Sequence, residues 1–271
     1  MSPIDPLRLS ARAAAAAGST AAMYGAFEME AALAGASDRD AILRKWVLRY
    51  GRLQLRLFGV EVLASGPHLD AGEAYPGSSP PASGTDERGK GRLFVMNHRS
   101  MLDILVSLAF LDARIVSRGD LARWPVVGYL AKRIGTLFVD RESTVSGARV
   151  AGAMVRAVEA GLGVLVFPEG TTHAGDEVRP FRPGAFVVSR RTGAEIVPVG
   201  LAYEGEHANW GDEGFPAHAR RIGGAPRTRV ALVAGDPIAP ADREASAIQA
   251  EAHAAVQSLV HRARATLRDR A

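Results

Sequence analysis

The chain contains no cysteine among its 271 residues, which excludes disulfides, thiolate metal sites, thiol redox chemistry and a cysteine nucleophile. Long apolar runs are missing too. The longest uncharged stretch near the start, residues 13–27, is rich in Ala, Gly and Ser and is closed by Glu28 and Glu30. It falls short of the ~20 apolar residues that hydrocarbon demands of a spanning helix. It also has Ala where the core of a secretory signal has Leu. The expectation is therefore a soluble or surface-bound protein with no transmembrane span. No Gly-x-Ser-x-Gly element occurs, so no strand-to-helix nucleophile elbow is expected. Histidines with metal-ligand spacing are absent as well: His68, His173, His207, His218, His253 and His261 are scattered and read as surface or loop residues, and no metal site is expected. Aromatics make up 6% of the chain and do not interleave with the basic residues, which argues against a single-strand nucleic-acid groove.

The remaining composition is that of a globular protein, with 47% hydrophobic and 23% charged residues. The length suffices for one large domain with helical additions. A net charge of +4 admits an acidic partner (a membrane surface, a nucleic acid, a phosphorylated substrate) without choosing among them.

Residues 1–36 are Ala-rich and weakly patterned, which predicts a marginal helix. Ser37 and Asp40 then offer a helix cap, after which Ile42, Trp46, Tyr50, Leu53 and Leu57 recur at steps of four and three. Lys45, Arg49, Arg52 and Arg56 run alongside. A basic amphipathic helix over 38–58 reads as a membrane-surface element, each cation contributing about 1 kcal/mol near an anionic bilayer. The competing reading is a helix packed on its own domain with the cations in water. We divide the chain into a helical membrane-association segment, 1–59, and a following domain, 60–271. Within the latter, 66–91 is dense in Gly, Pro and Ser and reads as a flexible surface insertion.

From Leu93 onward short apolar runs alternate with helical patterns. Strands are expected at 93–96, 115–117, 136–139, 164–167, 196–201 and 229–233, with an earlier one at 60–63. Helices are expected at 100–111, 120–134 (interrupted at Pro125), 144–160, 185–191 and 241–268. That alternation predicts an α/β fold, a mostly parallel mixed sheet flanked by helices, preceded by the N-terminal amphipathic helical segment.

The stretch Asn97-His98-Arg99-Ser100-Met101-Leu102-Asp103 follows one such strand and opens a helix. Ser100 and Asp103 fit a cap, which starts the helix at Ser100. A carboxylate in the first turn can fold back to the imidazole two residues outside, fixing its tautomer and leaving the other nitrogen as a general base. Alternatively, Asp103 only caps the helix and His98 is a polar turn residue. Arg141 and Glu169 also follow strands directly, and in open α/β sheets ligands sit beyond the carboxyl ends of the strands, so the three could converge on one rim. Singly, Asp140-Arg141 reads as a surface ion pair, Glu169-Gly170 as a turn, and Pro198 as the mark of an edge or bulge.

The ordered blocks Asn97-His98-x-x-x-x-Asp103, Gly135-x-x-Phe138-Val139-Asp140-Arg141, Phe167-Pro168-Glu169-Gly170-Thr171 and Val197-Pro198-Val199 resemble the glycerolipid acyltransferases, the family that includes the 1-acylglycerol-3-phosphate acyltransferases. The likeness covers residues 93–201, and Gly235-Asp236-Pro237-Ile238 is similar to the family's late turn. The resemblance implies transfer of a fatty acyl group from acyl-CoA or acyl-carrier protein, used as co-substrate with no bound cofactor, to a lysolipid hydroxyl, foremost lysophosphatidic acid to phosphatidic acid. It implies His98 as the base, Asp103 as its orienting acid, Arg141 on the acceptor phosphate, and Asn97, Glu169, Gly170 and Thr171 around the acceptor. It further implies a peripheral location on the cytoplasmic face of a membrane. Thr172 and His173 stand where many members carry Arg or Ser after the Glu-Gly-Thr, so Arg179 and Arg182 are candidate phosphate contacts instead. Other acceptors (another lysophospholipid, a lyso-aminolipid, glycerol 3-phosphate), water as acceptor, and a non-catalytic membrane-surface role are the competing expectations.

Overall fold

In the computed structural model, which describes residues 5–34, 38–80, 89–125, 127–139 and 144–269, the apolar runs pair into one sheet. Its strands are β1 (Val60–Ser65), β2 (Leu93–Met96), β3 (Arg114–Arg118), β4 (Leu137–Val139), β5 (Val164–Val166), β6 (Ile196–Tyr203) and β7 (Thr228–Ala234). The spatial order is β1-β7-β6-β2-β5-β3-β4. Every neighbouring pair runs parallel except β6 with β7. The sheet is thus mixed and mostly parallel, as the alternating pattern predicts.

Helices cover both faces. On one side lie α2 (Arg39–Leu57) and α3 (Leu102–Phe110); on the other lie α5 (Thr144–Glu159), α6 (Gly184–Thr192) and α8 (Ala245–Asp269). Central strand β2 shows why its sequence is apolar without alternation. Phe94 and Met96 join Leu55, Leu102 and Val106 in one core, while Leu93 and Val95 join Val158, Phe186 and Val256 in the other. All four β2 residues are buried, as both faces of a covered parallel strand must be. The short α4 (Val127–Arg133) follows a 3₁₀ turn at Gly119–Arg123, matching the expected interruption near Pro125.

The helix expected in the Ala-rich N-terminal segment is present: α1 runs unbroken over Pro6–Ala34. Asp5 Oδ1 caps it by accepting from the Leu7 and Arg8 N–H groups at 3.0 and 3.1 Å, with Pro6 at the first helical position. Arg8 and Arg12 then donate to the carbonyls of Gly224 and Gly223, each at 3.0 Å, at the C-terminal end of α7 (Phe215–Gly224), a helix the sequence reading missed.

Helix α2 forms as expected, but its apolar side is covered. Ile42 packs with Phe27 and Ala31 of α1, Leu55 enters the main core, and Trp46 Nε1 donates to Glu30 Oε2 at 2.8 Å. Lys45 pairs with the same carboxylate, while Arg49 and Arg56 are exposed. Between α1, α2 and α4 lies an open apolar hollow of about 100 Å³, lined by residues such as Phe27, Trp46, Tyr50, Leu108 and Leu130. Among the described residues no helix is long and apolar enough to cross a membrane.

The reading of 66–91 as a surface insertion fails for its first half. Tyr75 is 1% exposed and its backbone bridges to the end of α3, donating to Phe110 O at 2.8 Å and accepting from Asp112 N at 3.0 Å. Residues 81–88 lie outside the described residues.

Candidate active site

Strands β2 and β5 are adjacent and parallel, with Val95 opposite Val166, so the turns that follow them meet at one rim. The β2 turn carries His98 and the β5 turn carries Glu169. The expected fold-back of Asp103 is present: His98 Nδ1 lies 2.7 Å from Asp103 Oδ2. The carboxylate is fully buried and the imidazole is 15% exposed. An anionic oxygen at that distance places the proton on Nδ1 and leaves Nε2 as the lone-pair nitrogen. Among the described residues no protein group bonds Nε2. The ring lies stacked on Phe167, centroids 4.2 Å apart, which limits its tilt.

Every N–H through this turn has an acceptor. Those of Arg99 and Ser100 donate to Asp103 Oδ2 at 2.6 and 2.9 Å, and that of Leu102 donates to Ser100 Oγ at 3.3 Å. Met101 N–H donates to His218 Nε2 at 3.3 Å, and His98 N–H to Glu169 Oε1 at 2.8 Å. Asp103 Oδ1 accepts from the Tyr203 hydroxyl at 2.7 Å. Burial, and then the Asp103 charge, hold the Tyr203 phenol well above its usual range, so it remains a donor. The helix proper begins at Leu102, with Met101 already in helical conformation and Ser100 Oγ accepting Leu102 N–H as a cap does.

The other expected site residues divide into groups. Asn97 is buried, and its amide is paired both ways with the backbone of Leu201, at 2.9 and 2.8 Å, tying β2 to β6 rather than facing the rim. Glu169 is likewise turned inward. Its two oxygens accept from His98 N–H, Arg99 Nη1 and Arg179 N–H, so it shapes the site by holding backbone. Arg99 is buried with it and also donates to the carbonyls of Gly175 and Glu177 at 2.7 and 2.8 Å, fastening the loop after β5. Sequence reasoning passed over Arg99, although its place inside the motif was a signal.

Gly170 has φ +82°, and a Cβ there would lie 2.5 Å from Arg182 Nε, so the glycine gives this turn its shape and brings that guanidinium close. Thr171 is exposed beside it. Arg179 and Arg182 are exposed, and among the described residues no carboxylate pairs with either. Arg141, expected on the acceptor phosphate, lies outside the described residues. No cluster of three or more metal-ligating side chains occurs among the described residues.

His218 is the main surprise. Expected on the surface, it is fully buried on α7, with Nε2 3.1 Å from Ser100 Oγ and Nδ1 3.0 Å from Glu213 Oε1. Burial, and then the neighbouring Arg221, push its pKa below the ordinary imidazole value, against the pull of Glu213.

Residues 82–202, somewhat under half of the chain, match the family model described as Acyltransferase. Over 142 residues the chain is 29% identical to the 1-acyl-sn-glycerol-3-phosphate acyltransferase of Neisseria gonorrhoeae, covering 50% of this chain and 56% of that protein. Over 174 residues it is 28% identical to the lyso-ornithine lipid O-acyltransferase of Pseudomonas aeruginosa, covering 61% of this chain and 66% of that one. The chain therefore spans between half and two thirds of the length of these relatives. The fold is that of the crystallised 1-acyl-sn-glycerophosphate acyltransferase PlsC from Thermotoga maritima, with a TM-score of 0.59 at 17% identity, covering 83% of this chain and 81% of the other. His98, Asp103 and Glu169 all lie inside the matched segment, 82–202; α7 and His218 lie beyond it.

Proposed function

We propose that the protein is an O-acyltransferase that moves a fatty acyl group from a thioester, acyl-CoA or acyl-carrier protein, to the free hydroxyl of a lysolipid. The supporting observation is the His98–Asp103 pair at the end of β2, 2.7 Å apart, with Nε2 unbonded by described protein groups, inside the segment that matches the Acyltransferase model. His98 Nε2 takes the hydroxyl proton as the acceptor oxygen attacks the thioester carbonyl. Asp103 stabilises the imidazolium that forms. Collapse of the tetrahedral intermediate breaks the C–S bond, and the thiolate leaves with the proton from Nε2. The net change is one C–O bond formed and one C–S bond broken, with no bound cofactor and no acyl-enzyme. A base held in this way contributes about 10²–10⁴ in rate.

Lysophosphatidic acid is the leading acceptor, with Arg141, Arg179 and Arg182 as candidate phosphate contacts. Glu169, Gly170 and Thr171 shape the acceptor side, and Asn97 acts through the β2–β6 pairing. The relative named for a lyso-ornithine lipid keeps a second acceptor class open to test. The acceptor is presented at the cytoplasmic face of a membrane that the protein touches peripherally. Exposed Arg49 and Arg56 of α2, and Leu7, Met29 and Leu33 of α1, favour that contact.

The test is a panel of lysolipid acceptors with one acyl-CoA, products read by mass spectrometry, alongside His98→Ala. Diacyl product from a lysolipid, lost in His98→Ala, is expected. Near wild-type transfer by that variant sinks the reading. Free fatty acid release without acceptor indicates hydrolysis instead, and flotation with liposomes without thioester consumption indicates a surface-binding protein.

A further inference from the structure

A second histidine stands behind the β2 turn, 118 positions beyond Ser100 and outside the segment that matches the Acyltransferase model. Its connections run in one line. Met101 N–H is a fixed donor aimed at His218 Nε2, and the Glu213 carboxylate, an acceptor only, faces Nδ1, so the lone pair is on Nε2 and the proton on Nδ1; Arg221 Nη2 also lies 3.0 Å from Nδ1 but spends its protons on Glu213 and Asn209 O. Ser100 Oγ, 3.1 Å from Nε2, then donates its own proton to the ring and accepts Leu102 N–H with its remaining lone pair. Arg221 pairs with the same Glu213 carboxylate and donates to Asn209 O at 2.9 Å. Trp210 stacks on the His218 ring at 4.8 Å with a 10° tilt, and its backbone N–H donates to Arg99 O at 2.7 Å. Residues 209–221 thus grip the turn 99–102 from outside, while Asp103 grips it from inside.

We propose, resting on the acyl-transfer reading above, that His218 is a positioning residue for the His98–Asp103 pair. It acts through Ser100 and Met101, and Glu213 fixes its tautomer. Asp103 Oδ2 meets the N–H groups of Arg99 and Ser100 and the His98 ring at once, so the geometry of this turn sets the His98–Asp103 distance. The acceptor at Nε2 fixes the next two residues of the turn, and without it Met101 N–H and the Ser100 hydroxyl proton lose their acceptor. The arrangement resembles a Ser–His–Glu nucleophile triad but is not one, since Ser100 and His218 are both fully buried.

The test compares His218→Leu with His218→Gln in the full chain. Gln restores an acceptor oxygen near the place of Nε2; Leu fills the volume without one. Steady-state kinetics are read beside the downfield proton resonance of the His98 Nδ1–H, assigned by its absence in His98→Ala. His218→Leu is expected to lose about tenfold or more in kcat with KM for both substrates within about twofold, and to shift or broaden that resonance. His218→Gln is expected to recover most of both. Wild-type kcat in His218→Leu, equal losses in the two variants, or an unmoved resonance overturns the proposal. Should His218→Leu fail to fold, Ser100→Ala replaces it and is expected to give the same losses; unchanged kcat and resonance there overturn the proposal too. If the wild-type chain acylates no lysolipid, the functional reading fails, while the resonance still decides whether His218 positions His98.

Discussion

Arg99 and Glu169 form an ion pair 2.9 Å apart from which solvent is excluded, with 2% and 0% of their side chains exposed. The pair joins the turns after β2 and β5, and its carboxylate also accepts His98 N–H. Removing one partner leaves the other charge buried, a loss of about 3–5 kcal/mol. Glu169→Ala is therefore expected to lower stability by that amount in urea unfolding, and to lower acyl transfer because the His98 backbone is released. The double variant Arg99→Met/Glu169→Leu is not expected to recover. The carbonyls of Gly175 and Glu177, and the N–H groups of His98 and Arg179, would still lack their partners.

Tyr203 on β6 supplies the donor to Asp103 Oδ1. Tyr203→Phe keeps the ring and leaves that buried oxygen without a donor, which costs about 1–3 kcal/mol of stability. It also frees one arm of the carboxylate that orients His98. A fall of about tenfold in kcat, with KM nearly unchanged, is expected, equivalent to about 1.4 kcal/mol at the transition state. Kinetics on the purified variant check it; a change confined to KM would place Tyr203 with substrate binding instead.

How much of this was legible follows from distance along the chain. His98 and Asp103 are five residues apart, and a first-turn carboxylate has few places to turn, so their contact could be read locally. The strand runs were equally plain because both faces of the sheet are covered, and a covered strand is written as an unbroken apolar run. The reversed direction of β7 beside β6 leaves no such mark. Nor does α7, a ten-residue helix that ends in two glycines and is completed by Arg8 and Arg12 from the opposite end of the chain. His218 looked like a surface residue because everything that buries it is nonlocal except Glu213, Trp210 and Arg221. Helix α1 looked weak because its Ala-rich sequence gives little periodic contrast. Glu169 follows β5 directly, but its inward turn depends on Arg99, which no spacing rule pairs with it.

Helices α2 and α3 touch at Gly51. A Cβ there would lie 2.6 Å from Ala109 N and 2.8 Å from Leu108 C, which is backbone and cannot swing aside. Gly51→Ala gains up to about 1 kcal/mol of helix propensity but forces the helices apart, and overpacking of this kind costs about 1–3 kcal/mol. A net loss is expected, seen as a fall in Tm of about 2–4 °C per kcal/mol. Because α3 carries Asp103 at its other end, kcat should fall with it; an unchanged or raised Tm would show that α2 shifts without strain.

The buried, neutral His218 sets a direction for the pH dependence of stability. Its native pKa is depressed, first by burial and then by Arg221, whereas in the unfolded chain it takes a proton near the ordinary value of about 6.5. As pH falls below that value the unfolded state binds a proton that the native state refuses, so stability declines until the native pKa is reached. In the native protein, protonation would aim a second N–H at Met101 N–H and set a cation beside Arg221. The groups facing the ring are Glu213 and Arg221 on its own side, Asp103 and Ser100 across the turn, and Trp210 above. His207 is depressed as well, by burial and then Arg221, and adds a similar slope that the comparison cancels. Urea unfolding of wild type and His218→Gln from about pH 7.5 to 5 is the check. Wild type should lose stability more steeply with acid, the gap growing below about pH 6.5; parallel curves would mean that His218 is protonated equally in both states.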